Sequence, residues 1–154
     1  MYDARQIKRK SVLLFALSVL TYTAEAQQGE NTPTVAPNAG INDFSAGEAR
    51  IRAGIVLLGM LHDTLAQVQD NNSAEVAVAS VMRLSRELQT WGQGFAALPP
   101  LDEETQSAYE KRYLPIINKL NERIQLQADR IAAAEYYGSK NLPASLVKLV
   151  NSVQ

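Results

Sequence analysis

The apolar residues Ala77, Val81, Leu84, Leu88, Trp91, Phe95 and Leu98 recur at spacings of 4-3-4-3-4-3. Each residue of an α-helix turns the chain by about 100°, so this rhythm lays all seven on one stripe, an a/d seam sustained over three heptads. Arg83, Arg86, Glu87 and Gln89 fall on the other side. Upstream, Ile51, Ile55, Leu58, His62 and Leu65 form a second helical stripe, widened by Val56, Leu57, Leu61 and Val68. Between Ala53 and Leu61 (AGIVLLGML) there is no polar side chain, which predicts a helix lying between at least two other elements. Gly54 and Gly59 lower helix propensity there, and their expected use is to let a neighbouring backbone approach closely.

The flanking residues predict where each helix starts and stops. Ser45-Ala-Gly-Glu48 matches the S-x-x-E capping box, giving a first helix over 46–69. Asp70-Asn71-Asn72 reads as a turn, with Ser73 capping the next helix and Glu75 in its first turn. So short a turn between two amphipathic helices predicts an antiparallel hairpin. Gly92 and Gly94 loosen the second helix before Pro99-Pro100 stops it. Asp102-Glu-Glu-Thr opens a third helix with the inner face Tyr109, Tyr113, Ile116, Leu120, Ile124, Ala128 and Ile131. Pro115 lies inside this run and predicts a kink or a restart. Gly138 stops it, just after Tyr136-Tyr137, of which one ring is expected to pack and the other to be wet. A short fourth helix over 141–153 carries Leu142, Leu146, Leu149, Val150 and Val153. The expected fold is all-α: an antiparallel bundle of three long helices, the third kinked or broken near Pro115, plus a short C-terminal helix.

The start of the chain follows another pattern. Arg5, Lys8, Arg9 and Lys10 precede an uncharged run from Val12 to Leu20, and Ala24-Glu25-Ala26 fits an A-x-A cleavage site. Residues 1–26 therefore read as a cleavable signal peptide, too short in its apolar part to span a bilayer. Residues 27–42 (QQGENTPTVAPNAGIN) read as a flexible polar leader and 43–154 as the helical bundle domain. Of 15 basic and 16 acidic residues, cleavage would remove 4 and 2, leaving 11 and 14 and a net charge of −3. That balance argues against a nucleic-acid partner or an anionic lipid surface, and with the short apolar run removed and no cysteine to carry a lipid, no membrane insertion is expected after cleavage. Zero cysteines exclude thiol nucleophiles, disulfides, Cys-zinc and Fe–S sites, and in an exported chain they favour a bacterial periplasm or exterior.

The remaining chemistry is sparse. His62 is the single histidine. As a general base it would need an orienting carboxylate, and Asp63, about 100° around the helix, is expected not to serve. A di-iron bundle needs E-x-x-H on two helices, whereas position 59 is glycine. A b-type haem held by His62 and Met82 would need room in a seam that Leu58, Leu61, Leu84 and Leu88 fill. The expectation is a satisfied core or boundary histidine, no cofactor and no metal. Asp102, Glu103, Glu104 and Glu110 read as a solvated helix start, and the G-x-G of Trp91–Phe95 (WGQGF) ends a helix rather than opening one.

Trp91, Phe95, Tyr109 and Tyr113 flank the Pro99-Pro100 turn, so the second and third helices are expected to gather them at one end of the bundle. Tyr109, Tyr113, Trp91 and Phe95 are the candidate partner contacts, Tyr109 and Tyr113 foremost, with Trp91 itself expected as a core plug. The functional expectation is an exported, soluble, non-enzymatic helical domain that binds a protein or envelope partner and admits homo-oligomers. The alternatives are a periplasmic stress or chaperone-like adaptor, although the repeated L-T-x-x-Q motif of one such family is absent, and a small haem or other cofactor carrier using His62.

Overall fold

The computed structural model describes residues 42–99 and 101–152. The expected signal peptide, its cleavage site and the leader up to residue 41 lie outside the described residues. Four α-helices follow one another: α1 (Asn42–Ala66), α2 (Asn71–Ala96), α3 (Glu103–Ala133) and α4 (Leu142–Asn151), with a 3-10 turn (Glu135–Gly138) before α4. No strand occurs among the described residues. α1 packs against both α2 and α3, and α4 closes on α2. The fold is thus the all-α bundle of three long helices and one short helix that the periodicities imply.

The seams are also as read. Ala77, Val81, Leu84 and Leu88 of α2 are buried with Leu58, Leu61 and Leu65 of α1, and Ile124 and Ile131 of α3 join the same cluster. Trp91, Phe95 and Leu98 continue the α2 stripe but are only half-buried. Leu142 and Leu149 attach α4, whose end is tied to α2 by a 2.8 Å hydrogen bond between the Ser85 and Ser152 hydroxyls.

Several boundaries differ from the expected ones. The chain is helical from Asn42, so position 45 lies inside α1 rather than at its start, and the Glu48 carboxylate is engaged by α3. α1 ends at Ala66 rather than 69. Arg130 reaches over from α3 and donates to the carbonyls of Val68 (2.7 Å), Leu65 (3.0 Å) and Ala66 (3.5 Å). α1 has no basic residue in its own last turn, so this guanidinium supplies the positive charge that a helix C-terminus favours. Val68 remains fully buried beyond the helix end. For α2 the N-cap is Asp70, not Ser73. The Asp70 carboxylate accepts from the Ser73 N–H at 2.7 Å while the Ser73 hydroxyl accepts from the Asp70 N–H at 3.0 Å, a reciprocal box.

α3 opens at Asp102 as expected and runs through Pro115 without restarting. Pro115 faces solvent, so water can reach the Lys111 carbonyl that has lost its helical donor. The inner face follows Tyr113 with Ile117, which packs on the core, whereas Ile116 is 45% exposed. Beyond α3 the backbone turns left-handed at Glu135, Tyr136, Tyr137 and Gly138 (φ 49°, 55°, 53° and 78°). Gly138 takes this conformation freely, but each of the other three is disfavoured by about 1–2 kcal/mol. The turn is held by Asn71 Nδ2 donating to the Tyr137 carbonyl (3.1 Å), by Arg130 donating to the Tyr137 hydroxyl (2.8 Å), and by packing of both tyrosines on the core. Both rings are half-buried, so the expected division into one packed and one wet ring is not seen.

Candidate functional site

The four aromatic residues expected at one end of the bundle do gather there, in two differently exposed pairs. Tyr109 and Tyr113 stand edge to face with centroids 6.0 Å apart and are buried with Ile51, against Ile55, Phe95, Leu101 and Ile117. At 5% and 6% exposure, neither of these expected contact residues offers a surface to a partner. The Tyr113 hydroxyl donates to Glu48 at 2.5 Å, and Arg52 bonds both groups, at 3.3 Å to the hydroxyl and 2.6 Å to the carboxylate. Arg112 adds a 3.3 Å ion pair to Glu48 and lies over the Tyr113 ring. These bonds, Tyr113 first and then Arg52, hold the Glu48 carboxyl below its ordinary value. Burial pushes the Tyr109 phenol up. The constellation fastens α1 to α3.

Trp91 is the other pair's outer member, 5.7 Å from Phe95 by ring centroids. Its indole N–H donates to the Arg50 carbonyl at 2.6 Å, and its ring lies against Gly54, where an added Cβ would sit 2.5 Å from Cζ2. Gly54 therefore admits an aromatic ring rather than a neighbouring backbone. Gly59 has nothing within 4 Å and makes no close approach. Gly94 leaves room for the Arg50 guanidinium, with which a side chain there would collide.

Beside the Trp91 ring an open groove of about 630 Å³ runs between α1 and α2, lined by Arg50, Ala53, Val56, Leu57, Arg86, Glu87, Thr90 and Trp91. Val56 is 60% exposed, and Met60, one turn on, is 39% exposed. The sequence reading placed Val56 on the widened core stripe and so missed this surface. The signal was present: a segment apolar on all sides, packed mainly against α2 and α3, leaves a side uncovered.

His62 stands apart from the groove lining. Its Nδ1 lies 2.9 Å from Asp63 Oδ1, so the neighbouring carboxylate does reach it. Adjacent side chains leave a helix about 100° apart, yet both are long enough to swing together at the surface, where Asp63 is 74% exposed. Among the described residues the other ring nitrogen meets no hydroxyl, carboxylate or amide. Met82 is half-buried on α2, and Leu58, Leu61, Leu84 and Leu88 occupy the seam that a haem between it and His62 would have to enter. In the acidic run, Asp102 caps α3 and Glu110 accepts from Gln106 at 3.1 Å. No cluster of three or more His, Cys, Asp or Glu side chains able to hold a metal ion occurs among the described residues, and none of their helices is long and apolar enough to cross a membrane.

Comparison with protein-family models, with curated proteins and with solved structures gave no match.

Proposed function

We propose that this chain is an exported, non-enzymatic helical domain of a bacterial periplasm or exterior, and that it binds a protein partner of the envelope through the α1–α2 groove beside Trp91. The observation that carries this reading is the contiguity of Ala53, Val56, Leu57 and Trp91 in one open apolar surface. Single exposed apolar side chains are ordinary, whereas a connected patch with an aromatic at its edge is the usual character of an interface. The groove is open along its length, so a small molecule in it would stay wet on one side, while ligand sites normally enclose most of their occupant. The His62–Asp63 pair is read as a surface contact, because among the described residues no further polar group bonds the other ring nitrogen to hand on a proton.

The test is partner capture from the native envelope with Val56→Asp against Leu126→Asp, since Leu126 is equally exposed (66%) on α3. Loss of captured material with Val56→Asp alone supports the groove as the binding surface. Equal loss or equal retention with both variants rejects it.

A further inference from the structure

The groove has charged walls above its apolar floor. Arg50 stands on the α1 side and Arg86 on the α2 side. Elsewhere the arginines nearby are matched: Arg52 and Arg112 by Glu48, and Arg83 by Glu87 at 3.9 Å. Among the described residues the Arg50 and Arg86 guanidiniums meet no carboxylate. Among the described residues Arg86 hydrogen-bonds to the Met82 carbonyl, at 3.4 Å, and Arg50 packs on Gly94. The acid in the wall, Glu87, is already turned to Arg83. Two unmatched guanidinium forks beside a desolvating apolar floor are suited to carboxylates, which each can bind through two parallel hydrogen bonds.

We propose that the occupant is an amphipathic helical segment of another protein, with apolar side chains at helical spacing and flanking acidic residues. Its apolar stripe lies on Ala53, Val56, Leu57 and Trp91, and its carboxylates pair with Arg50 and Arg86. This rests on the reading of the groove as the partner surface. A second copy fits less well, because a two-fold contact sets a patch against itself and would oppose arginines to arginines with Glu87 alone to relieve them. An anionic membrane fits less well because the two arginines of the groove fall short of the cluster of about 4–8 basic side chains that a lipid surface calls for.

Two labelled peptides of about 18 residues, sharing one leucine stripe and differing only in Glu or Lys at the flanks, are titrated into the purified chain. Binding is read by peptide anisotropy and by emission of Trp91, the single tryptophan. The Glu peptide is expected to bind at least about tenfold more tightly than the Lys peptide and to lose most of that preference between about 50 and 300 mM salt. Arg86→Glu, at an exposed position, is expected to reverse the preference, and Arg50→Gln to reduce it, with circular dichroism unchanged. Equal binding of both peptides with a Trp91 shift overturns the charge assignment and leaves the groove reading standing. No Trp91 shift with either peptide overturns the proposal, and the groove reading is then decided by Val56→Asp. A dimer in sedimentation that Arg86→Glu abolishes overturns it in favour of a second copy. Binding to phosphatidylglycerol vesicles that depends on Arg86 overturns it in favour of a lipid surface.

Discussion

The same substitution, glycine to alanine, is expected to have opposite effects at two positions five residues apart on α1. Each swap gains about 1 kcal/mol of intrinsic helix propensity. At Gly59 nothing lies within 4 Å of the added Cβ, so the gain is realised and Gly59→Ala should stabilise the fold by up to about 1 kcal/mol. At Gly54 the new methyl would stand 2.5 Å from Trp91 Cζ2 and 2.7 Å from Cε2, against ordinary contacts of 3.4 Å or more. The obstacle is a rigid bicyclic ring, pinned by its 2.6 Å bond to the Arg50 carbonyl. Relief therefore requires breaking that bond or separating α1 from α2. Overpacking of this kind costs about 1–3 kcal/mol, which outweighs the propensity gain. Urea unfolding followed by circular dichroism measures both variants, and Trp91 emission should shift in Gly54→Ala alone. If Gly54→Ala is as stabilising as Gly59→Ala, the indole does not lie on Gly54 and the groove has been drawn in the wrong place.

The trans cap of α1 gives a second expectation: Arg130→Met, which keeps the stem but removes donors to three carbonyls and to the Tyr137 hydroxyl, should cost about 2–4 kcal/mol in urea melts. A loss under about 1 kcal/mol would show that water replaces the guanidinium. In the seam, Leu84→Ala and Leu88→Ala should each cost about 2–5 kcal/mol, whereas exposed Arg86→Ala should stay within about 0.5 kcal/mol; similar values for all three would contradict the α2 register. Hydrogen bonds hold the carboxyls of Glu48, Asp70, Glu75 and Asp102 below their ordinary values of 4.5 for Glu and 3.8 for Asp. A carboxylate depressed in the folded state contributes stability that is complete above its unfolded pKa and lost as pH falls through the folded one. The urea midpoint should accordingly drop as pH falls below about 4.5, less steeply in Glu48→Gln and Asp70→Asn, and a midpoint level from about pH 6 to pH 3 would refute this.

Helix number, order and the α2 seam were legible because they follow from a period that any buried stripe must obey. Ala77 through Leu88 needed no partner information to be placed inward. Some misread positions are local, as with Asp70 taking the cap expected of Ser73 and Asp63 reaching His62, and others are decided by a group distant in sequence. Ser45-x-x-Glu48 has the letters of a capping box, but Tyr113, Arg52 and Arg112 together offer the Glu48 carboxylate more than a helix N-terminus does. The first helix ends early because of Arg130, 64 residues beyond Ala66. Ile116 and Ile117 are both apolar, and only the course of an unbroken helix through Pro115 selects the second for the interior. At the candidate site the aromatic grouping was legible, but its polarity was inverted. Tyr109 and Tyr113 are plugged by α1, and Trp91 is left at the edge of the apolar surface that α1 exposes.

The most direct test of the groove as the partner surface is site-specific photo-cross-linking in the native envelope. A benzophenone side chain is placed at Val56 in one variant and at Leu126 in another, two exposed apolar positions on α1 and α3. The expected result is a discrete adduct from position 56 that Arg86→Glu removes, with none from position 126. Adducts of equal yield from both positions, or an adduct from position 126 alone, would contradict it.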